Sequence, residues 1–123
     1  MAANTILIVD DDFSFTQFLE DLLTGAGYQI LVAKNGAAAF LELEIVRPAL
    51  MLVDVFMPVI DGITLCRMVR ANFATRDIPI VVMSATQQDI PVPIAGFLTK
   101  PLDIDVLLDL IASLVERRVE KSR

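Results

Sequence analysis

Unbroken apolar runs alternate along this chain with segments whose apolar residues return every three or four positions. The runs Ile6-Leu7-Ile8-Val9, Leu50-Met51-Leu52-Val53, Ile80-Val81-Val82-Met83 and Gly96-Phe97-Leu98-Thr99 lack polar alternation, the mark of strands covered on both faces of a parallel sheet. Strands are expected near residues 5–9, 28–33, 50–53, 79–83 and 96–99. Helices are expected near 13–25, 36–46, 62–73 and 103–119, with at most a short one near 86–90. Phe15, Phe18, Leu19, Leu22, Leu23 and Ala26 give the first helix an apolar stripe, and Gly25 and Gly27 close it. Asn35-Gly36 and Asp61-Gly62 are placed to start the second and third helices, while Leu102, Val106, Leu110 and Leu114 supply a core face for the last.

Strand and helix alternate almost without interruption, as βαβ units do. With right-handed crossovers, this predicts an α/β fold: a doubly wound, flavodoxin-like parallel sheet of five strands in the order 2-1-3-4-5, with helices on both faces. Residues 1–123 read as a single domain, with 117–123 a frayed helix end or the start of a linker. In such a sheet, ligands bind beyond the carboxyl ends of the strands at the point where strand order reverses, here between the first and third strands.

Those strand ends are charged. The first run leads into Asp10-Asp11-Asp12, the third into Asp54, and the fifth into Lys100; the fourth ends at Ser84. Carboxylates gathered at one point repel one another and persist by sharing protons or by holding a cation. Hard oxygen donors suit Mg²⁺, with Asp10 or Asp11 and Asp54 supplying carboxylates and a backbone carbonyl just past Asp54 another oxygen. Asp12, directly before the first helix, reads as its cap. Lys100, held before Pro101, sets an ammonium where it can neutralise an anion.

Composition narrows the chemistry further. The sequence of 123 residues contains no histidine, which excludes His-dependent nucleophiles, His metal ligands and a phosphohistidine on this chain. A net charge of −6 argues against direct nucleic-acid binding. No apolar stretch approaches the roughly 18 residues of a bilayer span, and the start lacks a secretory signal, so a cytoplasmic protein without membrane insertion is expected. Cys66 lies in a helical pattern and reads as a small buried thiol.

Taken in order, Val9-Asp10-Asp11, the block Asp54-Val55-Phe56-Met57-Pro58-Val59-Ile60-Asp61-Gly62, Ser84-Ala85 and Thr99-Lys100-Pro101 resemble a response-regulator receiver domain, the phosphoacceptor half of a two-component signalling pair. The resemblance implies that Asp54 accepts a phosphoryl group, that Asp10, Asp11, Asp54 and the Phe56 backbone carbonyl hold Mg²⁺, and that Lys100 contacts the phosphoryl group. It also implies that Ser84 and Phe97 form a switch. The implied partners are a histidine kinase or histidine phosphotransfer protein and a downstream protein, the chain being a phosphoacceptor and no enzyme with a separate substrate. Two alternatives stand beside it: a constitutive interaction module on the same sheet, and a Mg²⁺-dependent aspartyl-phosphate hydrolase.

The chain departs from the family pattern in two places. Phe56 replaces a side chain that is often polar. The segment Ala85 to Ala95, with Pro91 and Pro93, is shorter than the family's usual fourth helix and its loops. Two prolines so spaced cannot sit inside a helix, so this helix should be one turn or absent.

Overall fold

The computed structural model describes the backbone of residues 2–121 and the side chains of residues 4–115. The elements run β1 (Ala2–Val9), α1 (Phe13–Gly25), β2 (Gln29–Ala33), α2 (Gly36–Leu43), β3 (Pro48–Asp54), α3 (Gly62–Ala71), β4 (Ile80–Ser84), β5 (Gly96–Thr99) and α4 (Ile104–Lys121). The five strands form one sheet in the order β2-β1-β3-β4-β5, and every pairing is parallel. This is the expected flavodoxin-like arrangement. The reading of 117–123 falls partly outside the described residues: the helical backbone continues through Lys121, and nothing further is described there.

The unbroken apolar runs are explained by two cores, one on each face. Leu7, Val9, Met51, Val53, Ile80 and Val82 point to the face closed by Ala39 of α2 and by Leu65, Cys66 and Val69 of α3. Their sequence neighbours Ile6, Ile8, Leu50, Leu52, Val81 and Met83 point to the opposite face, against Leu19 and Leu23 of α1 and Leu107, Ile111 and Val115 of α4. Because successive strand side chains alternate between faces, a strand flanked on both sides must be apolar at every position. Strands β3 and β4 are accordingly buried throughout.

Asparagine and aspartate side chains start the helices as expected. Asp12 accepts from the Phe15 amide at 3.1 Å, Asn35 from Ala38 at 2.8 Å and Asp61 from Thr64 at 2.7 Å. The expected core face of α4 holds in part: Leu102, Leu110 and Leu114 are half-buried against the core, and the deepest column beside them is Leu107, Ile111 and Val115. Val106 is 50% exposed, while Leu107, Ile111 and Val115 are buried. The Asp103 carboxylate caps the helix by accepting from the Val106 amide at 3.2 Å. Leu102 therefore precedes the helix, and of the four expected residues Val106 alone turns to solvent.

The described backbone from Ala85 to Ala95 holds no helix. In its place is an extended strap. Ile90, Val92 and Ile94 turn inward onto the core face shared by α2 and α3, while Asp89, Pro91 and Pro93 between them are exposed. This alternation is that of an extended chain, the conformation proline tolerates.

Candidate functional site

Sheet register brings the predicted side chains to one edge. Val9 pairs with Val53, so Asp10 leaves β1 beside Asp54 at the end of β3. Asp54 pairs with Met83 and Ser84 with Thr99, which sets Ser84 and Lys100 at the neighbouring strand ends. The Lys100 amide donates to the Ser84 carbonyl at 2.8 Å, extending the ladder one residue past β5.

At this edge the Lys100 ammonium donates to Asp10 Oδ2 at 2.8 Å and stands 3.4 Å from Asp54 Oδ1. Carboxylate oxygens of Asp10, Asp11 and Asp54 all lie within 4.8 Å of one another. Asp10 and Asp54 are buried, whereas Asp11 is exposed. Burial pushes the Asp54 carboxyl up from its ordinary range and the Asp10 charge adds to this, while Lys100 pulls it back without cancelling the rise. For Lys100, burial opposes the charged form, but its hydrogen bond and attraction to Asp10, with Asp54 adding to them, raise it above its usual value. The cluster thus holds more negative charge than its one ammonium neutralises. All the donors are oxygens, which fits a hard divalent cation such as Mg²⁺.

The loop from β3 to α3 packs tightly against the acids. The Gly62 amide donates to the Val55 carbonyl at 2.8 Å. A Cβ at Gly62 would overlap the Asp54 carbonyl oxygen and lie 2.8 Å from Val55 Cα, so only glycine permits this approach. Phe56 lies on the same loop and is 63% exposed. Val59 there adopts φ of 70°, a conformation disfavoured for a β-branched residue.

Ser84 is fully buried, and its Oγ is committed to the strap: it accepts from the Thr86 amide and from Gln88 Nε2, each at 3.3 Å. Phe97 is half-buried and packs on the same core as Ile90, Val92 and Ile94. The structure therefore joins Asp10, Asp11, Asp54 and Lys100 directly and sets Ser84 one strand away, engaged elsewhere.

Sequence reasoning missed two participants. Phe15 lies with its ring centroid 4.3 Å from Lys100 Nζ, although its spacing marked it only as part of a helix stripe. Gln88 was one polar residue among several; nothing in its neighbours signals a bond to Ser84.

The comparisons with known proteins agree with this geometry. Residues 6–112 match the family model described as "Response regulator receiver domain". The DNA-binding dual master transcriptional regulator RpaA of Synechocystis is 33% identical over 119 residues, covering 91% of this chain and 49% of RpaA. Response regulator PleD of Caulobacter vibrioides is 37% identical over 109 residues, covering 84% of this chain and 24% of PleD. The chain thus spans about half or less of these relatives. Among solved structures, the receiver domain of a signal transduction histidine kinase from Syntrophus aciditrophicus superimposes with a TM-score of 0.87 at 30% identity, covering 92% of this chain and 90% of that one. The receiver domain of sensor histidine kinase PA1611 from Pseudomonas aeruginosa, solved with a magnesium ion coordinated in its active-site cleft, gives 0.85 at 26% identity, covering 92% and 98%.

Proposed function

The chain belongs to the response regulator receiver domain family, and from that premise we propose that residues 1–123 act as one phosphorylation-dependent switch that takes a phosphoryl group onto Asp54. The observation that carries the reading is the Lys100 ammonium held between Asp10 and Asp54, with a third carboxylate, Asp11, in reach. The donor is a phosphohistidine on a histidine kinase or histidine phosphotransfer protein. The output is an altered contact with a downstream protein in the cytoplasm.

Asp10, Asp11 and Asp54, with the Phe56 backbone carbonyl, are the residues that hold Mg²⁺. When bound, the ion supplies positive charge that offsets the acids and stabilises the equatorial oxygens of the phosphoryl group. An Asp54 carboxylate oxygen forms the new O–P bond as the donor's P–N bond breaks, and the imidazole nitrogen keeps the electron pair. Lys100 stands beside the attacked position and pairs with a phosphoryl oxygen. Ser84 then leaves the strap to donate its hydroxyl to another such oxygen, and Phe97 repacks as it moves.

Titrating Mg²⁺ with and without beryllofluoride, followed by amide spectra, tests this. The switch predicts metal-dependent shifts spreading from Asp54 to Phe97 that vanish in Asp54→Ala. A constitutive module gives no such spread, and steady turnover of a small phosphate ester indicates a hydrolase instead.

A further inference from the structure

A closed circuit of contacts surrounds the Lys100 ammonium. Asp10 Oδ2 accepts from it at 2.8 Å, while Asp10 Oδ1 accepts from the Asp12 amide at 3.0 Å. Asp12 in turn caps α1 through the Phe15 amide at 3.1 Å, and the Phe15 ring returns to Lys100 Nζ with its centroid 4.3 Å away. The cap of α1 and the ammonium of β5 are thus joined through one carboxylate and one aromatic ring.

We infer that Phe15 is a positioning residue for Lys100, its ring holding the ammonium against Asp10 and Asp54 and closing the way into the groove beside α1. That groove, of about 510 Å³, is lined by Phe15, Phe18, Pro101 and Ile104 and runs up to Lys100. Lysine is a point charge on a flexible four-carbon stem with three donors. Two of its directions are taken by carboxylates, and the third faces either the groove or an aromatic face. A ring face attracts a cation through its quadrupole, most strongly where water is partly excluded. An aliphatic side chain of equal size fills the space without that attraction, and the stem then samples the groove. The inference rests on the reading of Lys100 as a phosphoryl contact: an ammonium already in place costs the transfer step no ordering.

The test compares wild type with Phe15→Met, which keeps apolar volume without a ring, and Phe15→Tyr, which restores a ring. Lysine is labelled with ¹³C at the ε carbon, and the Lys100 signal is assigned through Lys100→Arg. In the unphosphorylated wild type the Lys100 ε-methylene protons should stand upfield of the other lysines through the ring current, fall back in Phe15→Met and return in Phe15→Tyr. The rate of Asp54 phosphorylation by a small phosphoramidate with Mg²⁺ should drop about three- to tenfold in Phe15→Met and recover to within twofold in Phe15→Tyr. An unshifted wild-type signal overturns the inference, whether or not Phe15→Met folds. So does a folded Phe15→Met with an unchanged rate, or a Phe15→Tyr that fails equally. Absence of any wild-type phosphorylation instead sinks the functional reading, while the ring-current shift still decides where the ammonium lies.

Discussion

Arg70 of α3 donates from Nε to the Pro93 carbonyl at 2.9 Å, and its Nη1 reaches the carbonyls of Arg76 at 3.0 Å and Ile78 at 2.8 Å. One guanidinium thereby ties the strap to the end of α3 and to the approach to β4. A helix satisfies its own carbonyls, whereas an extended segment must find donors outside itself. The planar fork of arginine meets several acceptors at once in a way an ammonium cannot.

Replacing Arg70 should therefore loosen the strap ahead of the sheet. Arg70→Met is expected to cost about 1–3 kcal/mol, read as a lower urea midpoint. Arg70→Lys should recover less than half of that. In both variants the amides of Ile90, Val92 and Ile94 should exchange faster while those of β3 keep their relative protection. An unchanged midpoint with unchanged strap exchange would show that the apolar contacts alone hold the segment.

The phase of α4 is testable by paired truncations. Leu107→Ala removes a fully buried side chain on the α1/α4 face and should cost about 2–5 kcal/mol. Val106→Ala, at a half-exposed position in the adjacent column, should stay within about 0.5 kcal/mol of wild type. Equal losses on denaturant unfolding would contradict the observed phase.

What could be read from the chain follows from which interactions are local. An unbroken run such as Leu50 to Val53 reports burial on both faces because strand alternation converts sequence directly into facing, and caps such as Asp61 act within three residues. Sheet order and the meeting of Asp10, Asp54 and Lys100 then follow from chirality and from the family resemblance. Which column of α4 lies deepest was not legible: those of Val106 and Leu107 are both apolar, and packing against α1 and the sheet is what buries Leu107, Ile111 and Val115. Pro91 and Pro93 announced a helix of one turn at most. Where the strap goes depends on Arg70, 23 residues from the carbonyl it meets, and no local pattern encodes a partner so remote.

Glycine at two positions should respond in opposite ways. Gly62→Ala drives a methyl group into the Asp54 carbonyl and should cost about 1–3 kcal/mol. It should also reduce the rise in melting temperature expected from Mg²⁺ at the proposed site, since Asp54 is displaced. Gly25→Ala meets nothing within 4 Å at the end of α1, and alanine there should stabilise by about 0.5–1 kcal/mol. Urea unfolding measures both stability changes, and melting curves with and without Mg²⁺ measure the rise.

The burial of the Asp54 carboxylate beside Asp10 should appear as a pH-dependent gain in Asp54→Asn. Burial first, and the Asp10 charge second, raise the Asp54 carboxyl above the 3.8 of the unfolded chain, with Lys100 only partly opposing. The folded state therefore binds this proton more tightly than the unfolded one. Its contribution to stability is fully present below 3.8 and is lost as pH rises through the folded value. Above that value wild type carries a carboxylate that the fold disfavours, and the neutral amide of the variant escapes that penalty. Without divalent ions, Asp54→Asn should melt higher than wild type at pH 7, and the difference should shrink as pH is lowered through the raised value at which wild-type Asp54 takes up its proton. At the proposed Mg²⁺ site the variant lacks one of three carboxylates, so saturating Mg²⁺ should stabilise wild type more and reverse the order. Melting curves at several pH values, in chelator and in Mg²⁺, provide the measurement; a gain that does not change with pH would mean that the substitution acts through packing and not through charge.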